Sequence, residues 1–165
     1  MLRAIFEGKR YLGAFFLVMG LFAGSAGSAS AQTVLTLENP ARGITVELTM
    51  DDLLAMPQTS FATEDEWFDG LNVYSGPLVR DVLAFLGDGF EYAEFIAIND
   101  YSAVIPVSDF FNYDAILALS RNGTPLSVRG KGPIWVMYPL SDNPEIQDRI
   151  YYDRLVWQLV RIVAL

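Results

Sequence analysis

Beyond its first 31 residues the chain never sustains one pattern for long: apolar runs of a few residues are cut off by proline, glycine or an Asn-Gly pair. Such punctuation denies the chain long helices, and it favours brief strands joined by tight turns. Residues 34–37 and 44–48 alternate apolar with polar side chains around Asn39-Pro40-Ala41-Arg42-Gly43, as a hairpin would. Thr49 then caps a short helix over residues 51–56, with Asp51 and Asp52 near its positive end and Pro57 as its stop. Residues 58–76 read as a longer polar connection holding Glu64-Asp65-Glu66-Trp67-Phe68-Asp69. Ser75-Gly76-Pro77 opens the clearest helix, with Leu78, Val82, Leu83 and Leu86 on one face and Gly87 at its end.

Two strands follow over 95–98 and 102–105, joined through Asn99-Asp100-Tyr101, then a helical turn over 107–113 capped by Ser108. Strands over 115–119 and 125–128 flank Ser120-Arg121-Asn122-Gly123-Thr124, an Asn-Gly hairpin. Residues 133–139 form a buried strand, residues 142–153 a short helix or loop, and residues 156–163 a final strand. Strands outnumber helices and the helices are short. The fold class is α+β, and length makes it one domain.

The start of the chain stands apart. Arg3, Lys9 and Arg10 precede an uncharged apolar run, and Ala29-Ser30-Ala31 has the small-x-small pattern of a cleavage site. Residues 1–31 are therefore expected to be a secretory signal of the general export route, with a retained anchor as the alternative. The run of about 12 residues is short of the roughly 20 that span a bilayer. Residues 32–165 then form the exported, periplasmic domain, with no direct membrane insertion after cleavage. Eight basic residues against 19 acidic ones leave that part with a net charge of about −11. Such a surface repels nucleic acid and anionic lipid.

The chain has no cysteine and no histidine. That removes disulfides, thiol nucleophiles, thiolate ligation, Ser-His-Asp triads and the usual zinc sites. Carboxylates, arginine, lysine, hydroxyls and aromatics remain, for chemistry or for a ligand that is bound and not transformed. The carboxylates Glu64, Asp65 and Glu66 match no calcium-loop spacing.

The order of features from Thr49 onward resembles the molybdopterin-binding domain of the sulfite oxidase family. The resemblance is carried by the Thr49-to-Pro57 helix, Tyr74-Ser75-Gly76-Pro77-Leu78, Asn99-Asp100-Tyr101 with Ile105-Pro106, and Asn122-Gly123-Thr124-Pro125-Leu126. It continues through Gly130-Lys131-Gly132-Pro133, Tyr138-Pro139 and Trp157-Gln158-Leu159-Val160-Arg161-Ile162. It implies a mixed β-sheet with short helices. Enzymes of that family hold molybdenum through a cysteine, carry more chain and more basic residues for the cofactor phosphate, and are commonly exported folded. This chain departs on each point. It resembles instead the small cysteine-less exported members, some of which bind a pterin and signal to a membrane-bound receptor that controls cyclic-di-GMP turnover. The resemblance thus implies a reduced pterin as ligand, no metal, and the periplasmic domain of such a receptor as partner.

A pterin presents an amino group beside a ring N–H, which suits one carboxylate, next to a carbonyl that suits a backbone N–H or a cation. Its faces suit aromatic rings. Asp100, with Asn99 and Tyr101, is the leading carboxylate candidate, unless Asp100 only makes an Asx turn. Trp67 is the stacking candidate, or else a loop anchor. Arg129 and Lys131 could meet a carbonyl or anion, or be solvated loop cations. Tyr138 stands at a strand end with either role open. Trp135 and Trp157 read as core, and Tyr151, Tyr152 and Arg154 either cover the pocket or face a partner. Three functions compete: a pterin-binding sensor, a degenerate molybdopterin oxidoreductase, and an interaction module that kept the fold and lost the pocket.

Overall fold

A computed structural model describes residues 32–165, and the expected signal segment lies outside the described residues. β1 (Thr33–Asn39) and β2 (Ile44–Thr49) form the first hairpin, turning through residues 40–43. α1 (Met50–Ala55) follows directly. Its start is a capping box: the Asp52 N–H donates to Thr49 Oγ1 at 3.2 Å, and the Thr49 N–H donates to Asp52 Oδ2 at 2.8 Å. The Thr49 hydroxyl, which donates to Asp52 Oδ2 at 2.6 Å, and then the Thr49 N–H hold the Asp52 carboxyl below its ordinary pKa.

The polar connection expected over 58–76 is instead a second hairpin, β3 (Gln58–Thr63) and β4 (Asn72–Pro77). Its strands are rich in hydroxyls, so hydrophobic alternation is weak. They are tied partly by side chains, as in the Ser60–Ser75 contact at 2.7 Å. Pro77 consequently ends β4 and does not open a helix. The helix α2 (Val79–Leu83) begins after it, continues as a 3-10 turn through Ala84–Leu86, and stops at Gly87, whose φ is 74°.

β5 (Tyr92–Ala97) and β6 (Ser102–Pro106) pair antiparallel, and α3 (Asp109–Asn112) follows. Ser108 precedes α3 without donating or accepting a side-chain cap bond. β7 (Ile116–Ala118) pairs with β10 (Trp135–Met137), while the Asn-Gly hairpin is made by β8 (Ser120–Arg121) and β9 (Thr124–Pro125). The strand expected over 125–128 is thus reduced to the end of β9, and Val128–Gly130 forms a 3-10 turn. A 3-10 turn at Pro144–Ile146, α4 (Arg149–Asp153) and β11 (Leu159–Ala164) complete the chain.

The largest sheet has the order β2-β1-β11-β5-β6. β1 and β11 are parallel and the other neighbours antiparallel, so the sheet is mixed. Leu35, Leu37, Phe95, Ile105 and Ile162 point from it into the core, and alternate residues such as Glu94 and Arg161 face away. A four-stranded sheet, β3-β4-β8-β9, and the β10-β7 pair meet closely: the Leu119 N–H donates to the Ser75 carbonyl at 2.8 Å. Gly76 permits that approach, because a Cβ there would lie 1.8 Å from the Leu117 carbonyl oxygen. The described part is an α+β domain, mostly sheet with few short helices.

Candidate functional site

Trp67 sits on the loop between β3 and β4. Asp65 shapes that loop: its Oδ1 accepts from the Trp67 N–H at 2.8 Å and the Phe68 N–H at 3.0 Å. Its Oδ2 accepts from the hydroxyl of buried Tyr74 at 2.5 Å. Burial, then that bond, pushes the Tyr74 phenol well above its ordinary pKa. A short side chain thus ends one chain turn and anchors it to the core. Trp67 is held half-buried, edge-on to Trp135 at 5.5 Å and to Trp157 at 5.3 Å between ring centroids.

Lys131 completes the cluster. Its backbone is left-handed, with φ 69°, at the end of the 128–130 turn. Its ammonium lies 3.7 Å from the Trp157 ring centroid, 4.3 Å from that of Trp67 and 5.6 Å from that of Trp135. Three negative ring faces attract it, at roughly 0.5–2 kcal/mol for a single such contact. Burial lowers its pKa, and the negative charge of Asp65 acts against that shift.

Trp67 and Trp157 also wall a cavity of about 130 Å³, together with Tyr101 and Tyr152. Tyr101 lies almost parallel to Trp157, at 4° and 6.2 Å, and its hydroxyl donates to the Asp153 carbonyl at 2.6 Å. Glu66, Arg149 and Asp153 supply the charges, with Arg149 paired to Asp153 at 2.9 Å. Burial raises the Tyr152 pKa, and Glu66, Asp65 and Glu64 add to that in descending order. The cavity therefore offers ring faces and carboxylate acceptors under a negative field. Its size admits one small planar group. Another cleft, of about 410 Å³, is lined by none of the ligand candidates named from sequence.

The other sequence candidates fall differently. Asp100 is exposed with φ 64°, and it does not line the cavity. Asn99 makes the Asx turn, its Oδ1 accepting from the Tyr101 N–H at 3.3 Å. Arg129 is exposed on its turn, outside the cavity lining. Tyr138 is fully buried; its hydroxyl donates to Asp109 Oδ2 at 3.2 Å, the same oxygen that accepts from Arg154 at 2.5 Å. Burial first, then the Asp109 charge, holds its phenol far above the ordinary pKa. Tyr138 thus belongs to a core network with Arg154, and Tyr151 packs edge-on against it at 5.6 Å.

Trp67, Tyr101 and Lys131 are therefore brought into one cluster, and Asn99 positions Tyr101. Tyr152, read from sequence as covering the pocket or facing a partner, lines the cavity, whereas Trp157, Glu66 and Asp153 were not among the sequence candidates for ligand contact. An excess of aromatics around residues 151–157 was the available signal. Among the described residues, no group of three or more carboxylates is arranged to hold a metal ion. Comparison with protein-family models and with curated proteins finds no match for this chain.

Proposed function

We propose that residues 32–165 bind a pterin in the periplasm, in the cavity lined by Trp67, Tyr101, Tyr152 and Trp157, and report its presence to the periplasmic domain of a membrane-bound receptor controlling cyclic-di-GMP turnover. The fold proposed is that of the sulfite oxidase family's molybdopterin-binding domain, and the mixed sheet with short helices agrees with that at the level of class. One observation carries the ligand reading: Trp67, Tyr101, Tyr152 and Trp157 share a cavity with Glu66 and Asp153. The rings supply stacking surface, and a carboxylate accepts from the adjacent amino and ring N–H donors. The chain's donor set does not fit the molybdenum centre of that family, because the chain has no thiolate to offer. No redox step is assigned to it.

The test is titration of the exported protein with reduced and oxidised pterins, followed by tryptophan emission. Saturable quenching is expected, and Trp67→Ala should weaken it about three- to tenfold, the worth of one aromatic contact. Protein that binds none of the pterins offered, and releases none on denaturation, overturns the reading.

A further inference from the structure

We propose that the apolar surface centred on Phe111 is a docking site for a partner segment that presents a bulky apolar side chain flanked by lysine or arginine. This names a contact surface for the reporting step proposed above, and its test involves no pterin, so the two readings can fail separately.

Phe111 lies on the outer side of α3 and is 68% exposed, the most exposed large hydrophobic residue among the described ones. Two clefts, of about 230 and 330 Å³, flank it, and Phe90, Val107 and Phe111 line both. The apolar surface continues onto the outer face of the large sheet, where Tyr92 and Val104 are 47% and 52% exposed. Tyr92 there opposes Pro106 across the β5–β6 pair, and Tyr92 and Pro106 line the larger cleft. Scattered apolar residues are ordinary on a surface, whereas a contiguous patch with hollows on both sides of one ring can seat a side chain.

Charge decides the occupant. Asp88 and Glu91 stand on the two cleft margins, both exposed. The basic residues nearby are Arg80, ion-paired to Asp114, and Arg42, whose guanidinium lies against Gly87 and Gly89, so the carboxylates Asp88, Glu91 and Asp114 outnumber them by one. The rim is therefore acidic around an apolar floor, on a domain carrying 19 acidic against eight basic residues. A second copy would bring the same carboxylates against these, and an anionic membrane is repelled. A cationic segment with an apolar anchor gains both from burial and from attraction. None of these residues lines the Trp67 cavity.

The probes are two synthetic hexapeptides with the same Leu-Phe centre, one flanked by lysines and one by glutamates, titrated into isotopically labelled exported protein. The lysine peptide should shift the backbone amides of Phe90, Val107 and Phe111 saturably, and the glutamate peptide should not. Phe111→Ala should weaken binding at least fivefold with unchanged thermal stability, since the ring is exposed. The pair Asp88→Asn with Glu91→Gln should weaken it and flatten its salt dependence, while Trp67→Ala leaves it unchanged. Shifts spread without saturation over the acidic surface, equal binding of both peptides, or full binding by Phe111→Ala overturns the proposal. Dimerisation in sedimentation, or attachment to phosphatidylglycerol vesicles, that Phe111→Ala abolishes would name a different occupant and overturn it as well.

Discussion

Lys131 is the residue on which the aromatic cluster turns. A lysine in the left-handed region with its ammonium against three indoles is held by ring faces more than by any carboxylate. Lys131→Met should therefore change tryptophan emission and weaken ligand binding, with Lys131→Arg retaining most of both; identical spectra for all three proteins would show that the ammonium does not hold the rings. The carboxylates give a sharper contrast. Glu66→Gln should weaken pterin binding several-fold, and Asp100→Ala should leave it unchanged, because Asp100 is exposed away from the cavity; calorimetric titration of both variants separates the two positions. Trp67 stood out in the sequence as a tryptophan among acidic residues on a polar loop, and Lys131 as one of only eight basic residues beyond residue 31. Asp100 stood out because a turn between two strands promises a fixed side chain; here the neighbouring Asn99 makes the turn and Asp100 does not line the cavity. Trp157 was hidden by its strand-like surroundings, which suggested core. It does touch the core, yet its other surface walls the cavity.

At the scale of elements, hairpins announced themselves wherever alternation was flanked by turn residues, as in β1–β2 and β5–β6. The β3–β4 hairpin did not, because its strands are built on hydroxyls and small residues. Missing it displaced the start of α2, since Pro77 in Ser-Gly-Pro looks like a first helical residue and serves here as a strand end. Two substitutions probe these elements. Gly76→Ala should cost about 1–3 kcal/mol by overpacking β4 against Leu117, read as a lowered denaturant midpoint. Unchanged stability there would mean that β4 and β7 are not in close approach. Thr49→Ala should cost about 1 kcal/mol through loss of the α1 cap, measured the same way. The loop that places Trp67 depends on the hairpin, so Gly76→Ala should also weaken ligand binding.

Across the whole molecule, composition set the limits and packing decided the details. The absence of cysteine and histidine leaves carboxylates, arginine, lysine, hydroxyls and aromatic rings, and the acidic surplus repels polyanions. Buried phenols give the domain an alkaline limit. Tyr74 and Tyr138 are held neutral far above their ordinary range, and Tyr151 is pushed up to about 12 by burial and by its bond with Tyr113. In the unfolded chain these phenols ionise near pH ~10. Their contribution is complete below that value and is lost as pH rises toward the folded values. Lys131 works in the opposite sense, since its lowered pKa makes the folded state gain relative stability as pH climbs toward the free lysine value. With five raised phenols, Tyr101 and Tyr152 among them, against one ammonium, the denaturant midpoint should fall above about pH 10; a midpoint that stays level would contradict the raised phenols. The central claim concerns the cavity, and one measurement tests it most directly: calorimetric titration of a reduced pterin into the protein and into Trp157→Ala. Saturable one-to-one binding that weakens at least threefold in Trp157→Ala is the expected result. No binding, or equal binding by both proteins, would contradict it.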